Sequence, residues 1–278
     1  MQDYLFKHIE EYPKLRPCLD AIAQEDEGLQ IRLSCHKVCL PSLPSKYQGQ
    51  NIRILVITSC TGEKRSHPEN QLTLADFQSK TRLRMREVEL ADFACPASEM
   101  YTGQQHLRTM EGVTLLRQSF FKVDVMILSA GYGLIPEDKE IVPYEVSFSG
   151  MSKSQIDTWG ITLGVHSALE RVITNYDLVF FLLGEHYLRS LRLPVVSHPQ
   201  QTLIFLTSKA GARYVQGLEA KTFILPLSTA DAKRHRYGLV GLKGFLFKWL
   251  AESVIKNPQF LKKIYDNPSD LQKIVTWI

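Results

Sequence analysis

A chain of 278 residues, 44% of them hydrophobic and 22% charged, can bury a substantial core as one large domain or two small ones. Its 33 Lys and Arg against 29 Asp and Glu leave +4, too slight an excess to mark a nucleic-acid binder by charge alone, although a pI of about 8.7 does not oppose one. No apolar run reaches the roughly 18 residues of a membrane span, and Met1-Gln2-Asp3-Tyr4 lacks a basic stretch leading into an apolar one, so a cytosolic location with no membrane partner is expected.

Residues 1–50 read as an appendage: helical over 4–23 with interruptions at Pro13 and Pro17, a candidate strand over 29–40, then the connector Pro41-Ser42-Leu43-Pro44-Ser45. The core, 51–256, opens on the apolar run 52–59, which predicts a buried strand. Similar runs follow at 125–129, 178–183, 202–206 and 222–225, and helical character fills 72–90, 102–121, 152–174 and 239–255. The extension 257–278 is helical from Pro258. Strands alternating with helices predict an α/β fold, a three-layer sandwich whose mainly parallel central sheet has about five or six strands and helices on both faces. Runs 52–59 and 125–129 are expected to be neighbours in it.

Ligands of such sheets bind beyond the carboxyl ends of the strands. Here those ends are Ser59-Cys60-Thr61-Gly62, Ser129-Ala130-Gly131-Tyr132-Gly133, Gly184-Glu185-His186-Tyr187 and Thr207-Ser208-Lys209. Strand-to-helix turns need Gly, Ser and Thr in any case, but several such ends together favour a pocket. Glycines at 131 and 133 allow positive φ or close approach, so this loop can present amide groups to an anion or a flat ring. The known phosphate loops do not fit. Arg65 follows Cys60 one residue too early for a thiolate phosphatase, Pro136 stands where a dinucleotide fingerprint has its third glycine, and no G-x-x-x-x-G-K-[ST] occurs, so no cofactor is expected. Ser59, Thr61 and Lys64 still offer hydroxyls and a point charge to an anion. Five cysteines, at 18, 35, 39, 60 and 95, are odd in number and unpatterned, and Cys35-His36-Lys37-Val38-Cys39 matches no zinc half-site, so neither a disulfide framework nor a metal site is expected.

Tyr144-Glu145 after Pro143, and Glu99 close before Tyr101, pair a carboxylate with an aromatic ring, which suits recognition of a flat nitrogenous ring and also occurs in ordinary cores and surfaces. Glu185-His186 at a strand end offers an acid and a base, though a single His there serves structure equally well. Lys80, Arg82, Arg84 and Arg86 form one basic run and Lys233-Arg234-His235-Arg236 another; Arg82, Arg84, Arg86, Arg234 and Arg236 are the candidate nucleic-acid contacts, weighed against solvated helix and loop faces.

Ser59-Cys60 followed by Lys64, then Pro96-Ala97-Ser98-Glu99-Met100-Tyr101-Thr102-Gly103, Leu128-Ser129-Ala130-Gly131-Tyr132-Gly133-Leu134-Ile135-Pro136 and Pro143-Tyr144-Glu145-Val146-Ser147-Phe148 together resemble a bacterial domain-of-unknown-function family, the YaaA-like (peroxide stress protein-like) family. Phe181-Leu182-Leu183-Gly184-Glu185-His186-Tyr187, Pro226-Leu227 and Gly241-Leu242-Lys243-Gly244 resemble its closing segments, so the resemblance spans 52–255. A more distant similarity is to the uracil-DNA-glycosylase-like domain of archaeosine synthase, which implies a three-layer α/β fold and a setting of nucleobase or nucleic-acid chemistry. Neither the Gly-Gln-Asp-Pro motif nor the histidine loop of uracil-DNA glycosylases occurs, so glycosylase activity does not carry over residue by residue.

The expectation is therefore a protein that handles a nucleotide, a nucleobase or a nucleic acid, DNA or RNA. As an enzyme it would act at a nucleobase or N-glycosidic bond, with Glu145 or Glu185 stabilising positive charge on the sugar and His186 or Lys64 stabilising the departing base or phosphate. Ser59, Cys60, Thr61, Glu99, Tyr101, Ser129, Gly131, Tyr132, Gly133, Tyr144 and Gly184 would bind the ligand. The alternative is a non-catalytic DNA- or RNA-binding protein of the oxidative-stress-protection type, using the basic runs. The sequence carries no signal for an oligomeric state.

Overall fold

The computed structural model describes residues 52–272, all within the unit Ser45–Ile278. The expected appendage over 1–50, with Cys18, Cys35 and Cys39, and the last residues of the expected C-terminal extension, 273–278, lie outside the described residues.

Every residue of β1 (Ile54–Ser59) is buried, as a central strand covered on both faces requires. Its side chains alternate: Ile54 and Val56 enter one core cluster, Leu55 and Ile57 another on the opposite face. β2 (Val123–Ser129) lies parallel to β1 on one side, with Ile54 opposite Val123 and Ser59 opposite Leu128. β3 (Gly133–Pro136) turns back antiparallel to β2. On the other side of β1 come β4 (Leu178–Leu182), β5 (Thr202–Ser208) and β6 (Lys221–Leu227), all parallel. The sheet runs β6-β5-β4-β1-β2-β3. The order of growth thus reverses between β1 and β4, and a doubly wound sheet opens a crevice at such a switch point.

Helices α1 (Lys80–Glu89), α2 (Gln104–Gln118), α3 (Lys153–Thr162), α4 (Val165–Ile173), α5 (Glu185–Leu191), α6 (Leu242–Lys256) and α7 (Gln259–Asp266) form the outer layers. Val113 and Leu116 of α2 and Leu246, Phe247 and Leu250 of α6 pack with Ile54 and Val56. Leu169 and Ile173 of α4 and Leu188 and Leu191 of α5 pack with Leu55 and Ile57. This is the three-layer α/β sandwich expected from the alternation. No helix among the described residues is long and apolar enough to cross a membrane.

The five expected strands are all present, but two expected helices are not continuous. Over 72–90, Leu72–Thr73 pairs with Tyr144–Glu145, Thr73 and Asp76 cap the short helix Leu74–Phe77, and Ser79 caps α1. Over 152–174, Gly164 at φ 64° separates α3 from α4. Capping side chains and a left-handed residue decide these breaks, and apolar periodicity does not register either.

Candidate functional site

Lys64 is fixed by backbone pairing. The Arg65 N–H donates to the Met100 carbonyl at 2.8 Å and the Thr102 N–H to that of Glu63 at 3.1 Å, so 63–65 lies antiparallel to 100–102. Side chains alternate on such backbone: Glu63 and Arg65 are exposed, while Lys64 and Tyr101 turn inward, 7% and 0% exposed. Lys64 Nζ donates to the Gly62 carbonyl at 3.2 Å and stands 4.6 Å from the centre of the Tyr144 ring. Burial lowers the Lys64 pKa, against the attraction of Cys60, Glu145 and Glu63.

The Tyr144 hydroxyl lies 2.9 Å from that of Tyr101 and 2.7 Å from Ser129 Oγ. Ser129 Oγ in turn accepts the Gly131 and Tyr132 amides at 3.2 and 3.0 Å. Those amides are therefore spent inside the loop, which corrects the expectation that the glycine loop offers them to a ligand. Gly131 serves close approach instead, since a Cβ there would sit 2.6 Å from the Phe77 ring. Gly133, at φ 76°, starts β3. Phe77, Tyr132 and Tyr144 meet edge to face, with ring centres 5.0 to 5.7 Å apart. Burial raises the pKa of Tyr101, Tyr132 and Tyr144 and keeps these phenols protonated at neutral pH.

At the switch point itself, Gln105 Nε2 lies 3.3 Å from Thr58 Oγ1, 3.2 Å from Ser59 Oγ and 2.9 Å from the Leu182 carbonyl, tying the ends of β1 and β4 to the start of α2. Cys60 Sγ is 3.1 Å from the Tyr187 hydroxyl. Beside this cluster a cavity of about 660 Å³ is lined by residues 61–63, 103–105, 236–238, 240 and 241. Its Tyr237 wall is held by a hydroxyl donating to Gln104 Oε1 at 3.2 Å and by a ring stacked on Phe245 at 4.6 Å. Arg236, exposed at its edge, adopts the left-handed φ of 49°.

The structure thus brings Ser59, Cys60, Lys64, Tyr101, Ser129, Gly131, Tyr132 and Tyr144 together, with Thr61 in the cavity wall. Glu145 is exposed, and its charge acts on Lys64. Gly184 opens α5, and Glu185 and His186 are half-buried in its first turn, but it is Tyr187 that reaches Cys60. Glu99 is exposed and paired with Arg65 at 2.6 Å. In the basic runs, Arg82 pairs with the buried Asp76 at 2.7 Å, Arg86 with Asp76 and Glu89, and Arg234 with Asp231 at 3.8 Å; Arg84 is exposed. Gln105, Phe77 and Tyr187 were not among the expected site residues. Tyr187 adjoins the expected Glu185-His186 pair, whereas nothing local marks Gln105 or Phe77.

Residues 89–217 match a family of unknown function, DUF6884. That span includes Tyr101, Gln105, Ser129, Tyr144 and Tyr187 and begins after Cys60 and Lys64. No curated protein matches the chain. A crystal structure of an azoreductase from Bacillus anthracis str. Sterne covers 73% of this chain and 100% of its own at 9% identity and a TM-score of 0.29, too slight a likeness to bear on fold or function. Over 89–217 the chain is similar to a domain of unknown function set on an α/β sheet.

Proposed function

We propose that this protein binds a nucleotide or nucleobase in the crevice beside the carboxyl end of β1 and acts on it at the base or the N-glycosidic bond. The observation that carries the reading is the buried Lys64 amine, held with Cys60 and three protonated tyrosines at the carboxyl end of β1, beside a cavity large enough for a small ligand. Tyr237 offers a fixed aromatic wall and Arg236 a guanidinium for a phosphate. Glu145, exposed and acting electrostatically on Lys64, is the carboxylate for positive charge on a sugar. The resemblance to YaaA-like proteins and, more distantly, to the domain of archaeosine synthase supports a setting of nucleobase chemistry in the cytoplasm. A non-catalytic nucleic-acid-binding role is the second reading, favoured by α1, a helix with no buried residue that exposes Lys80 and Arg84.

Thermal shifts with nucleosides, nucleotides and short DNA or RNA test the first reading. A ligand at a hundredfold excess over its dissociation constant adds about 2.7 kcal/mol of apparent stability. A free nucleotide is expected to raise Tm in the wild type and to lose most of that effect in Glu145→Gln and Arg236→Ala. Shifts that appear only with long nucleic acid, or that survive both substitutions, would sink it.

A further inference from the structure

The polar side chains that line the 660 Å³ cavity differ in which of their hydrogen-bonding atoms the protein already uses. Thr61 Oγ1 accepts the Gly103 amide at 3.2 Å and donates to the Glu63 carbonyl at 2.8 Å. The Tyr237 hydroxyl accepts from Arg108 Nε at 3.3 Å and donates to Gln104 Oε1 at 3.2 Å. Both hydroxyls are spent. Gln105 is spent on one side only. The Leu182 carbonyl can only accept, so the Gln105 atom 2.9 Å from it is the amide nitrogen, and the two protons of that nitrogen are shared among Leu182, Thr58 and Ser59. This fixes a side chain that is only 5% exposed, and its Oε1, which accepts no hydrogen bond among the described residues, is left for the cavity that Gln105 lines. The second free acceptor is the carboxylate of Glu63, exposed and in no ion pair among the described residues, on a backbone held by the Thr102 amide. The free donors are Gln104 Nε2 and the Arg236 guanidinium.

We infer that this cavity selects a base whose Watson–Crick edge carries two adjacent N–H donors, a guanine-type purine, with Gln105 Oε1 accepting the ring N1–H and Glu63, at the exposed rim, accepting from the 2-amino group. The inference rests on the nucleotide reading and deepens it. Adenine and cytosine would set a ring-nitrogen lone pair against Gln105 Oε1, and Gln105 cannot turn its amide to answer, because Leu182, Thr58 and Ser59 hold the nitrogen. Uracil keeps a ring N–H but sets a carbonyl oxygen against the Glu63 carboxylate. A guanine-type base satisfies both acceptors and leaves Gln104 Nε2 and Arg236 for its oxygen and its phosphate.

Calorimetric titration of the intact wild-type chain with the monophosphates of guanosine, inosine, adenosine, cytidine and uridine tests this, and the main comparison needs no variant to fold. Inosine lacks only the 2-amino group, so guanosine against inosine reads Glu63. Adenosine carries a lone pair in place of N1–H, so inosine against adenosine reads Gln105. Each step is expected to cost on the order of tenfold in affinity, as loss of one well-placed hydrogen bond does. Glu63→Ala, a change at an exposed side chain that leaves the backbone pairing of 63–65 in place, should bring the guanosine and inosine affinities together. Equal binding of the guanosine and inosine monophosphates, adenosine binding as tightly as inosine, or a guanosine preference that survives Glu63→Ala overturns the inference. Where nucleotides bind in such an order, the base assignment fails alone; if none of the five binds, the nucleotide reading fails and takes the assignment with it.

Discussion

Two buried polar groups set what single residues do here. Tyr144 is wholly buried, and its hydroxyl is the partner of both Tyr101 and Ser129. Tyr144→Phe keeps the ring beneath Lys64 but takes one hydrogen-bond partner from each of those hydroxyls, so about 1 kcal/mol of stability should be lost, and nucleotide binding should weaken with it. Urea titration with nucleotide-binding assays on the same variant checks this; stability lost with binding unchanged would mean a purely structural hydroxyl. Asp76 is the second group. Burial pushes its carboxyl upward, but the Thr73 amide and hydroxyl and the Arg82 guanidinium outweigh burial and hold it below the ordinary carboxylate value. A group depressed in the folded state contributes stability that is present above its unfolded pKa of roughly 3.9 and is lost as pH falls below it. Asp76→Asn should therefore lower Tm by several degrees at pH 7 and flatten the acid side of the stability profile, measured by thermal melts between pH 7 and pH 3. An unchanged acid limb would show that another carboxylate governs it.

At the scale of elements, α2 and α6 approach at glycines. A Cβ on Gly244 would stand 2.2 Å from the Gln105 carbonyl oxygen, and one on Gly112 would stand 3.0 Å from the Lys248 Cα. Backbone cannot yield as a side-chain tip does, so the helices must separate. Gln105 is also the residue that ties the ends of β1 and β4 together, and packing strain therefore reaches the switch point. Gly244→Ala is expected to cost about 1–3 kcal/mol and to weaken ligand binding. Gly150→Ala, where nothing lies within 4 Å, should leave both nearly unchanged. Denaturation midpoints and ligand titrations of the two variants decide it. Short elements here were illegible in the sequence for a related reason: two-residue strands such as Leu72–Thr73 and Cys95–Pro96 are too brief for any period, and a distant partner strand makes them.

Across the described residues, ion pairs neutralise part of each basic run. Arg82, Arg86 and Arg234 sit in ion pairs, so they act on the fold before they act on a partner. Binding that depends on one ligand phosphate at Arg236 should change with salt by a logarithmic slope of about −1, whereas tracking many phosphates of a single strand gives about −0.7 for each. A nucleotide titration from low to high salt separates the crevice reading from the strand-binding one, and a steep slope would favour the latter.

The sequence by itself determined the five parallel strands β1, β2, β4, β5 and β6 and part of the cluster, because unbroken apolar runs ending in Ser, Cys and Gly are local features of the chain. It held no signal for β3, which exists by antiparallel pairing with β2. It marked Lys64, Tyr101, Ser129 and Tyr144 as residues of one site, and they do meet. Only the tertiary structure decided that the glycine loop spends its amides on Ser129 and that Tyr187, not His186, reaches Cys60. It alone turned Glu99 outward and brought Gln105 onto Leu182. The reason is physical: which hydrogen bond a polar group makes depends on which partners the folded chain brings within about 3 Å, and those partners lie up to 133 positions away in the chain.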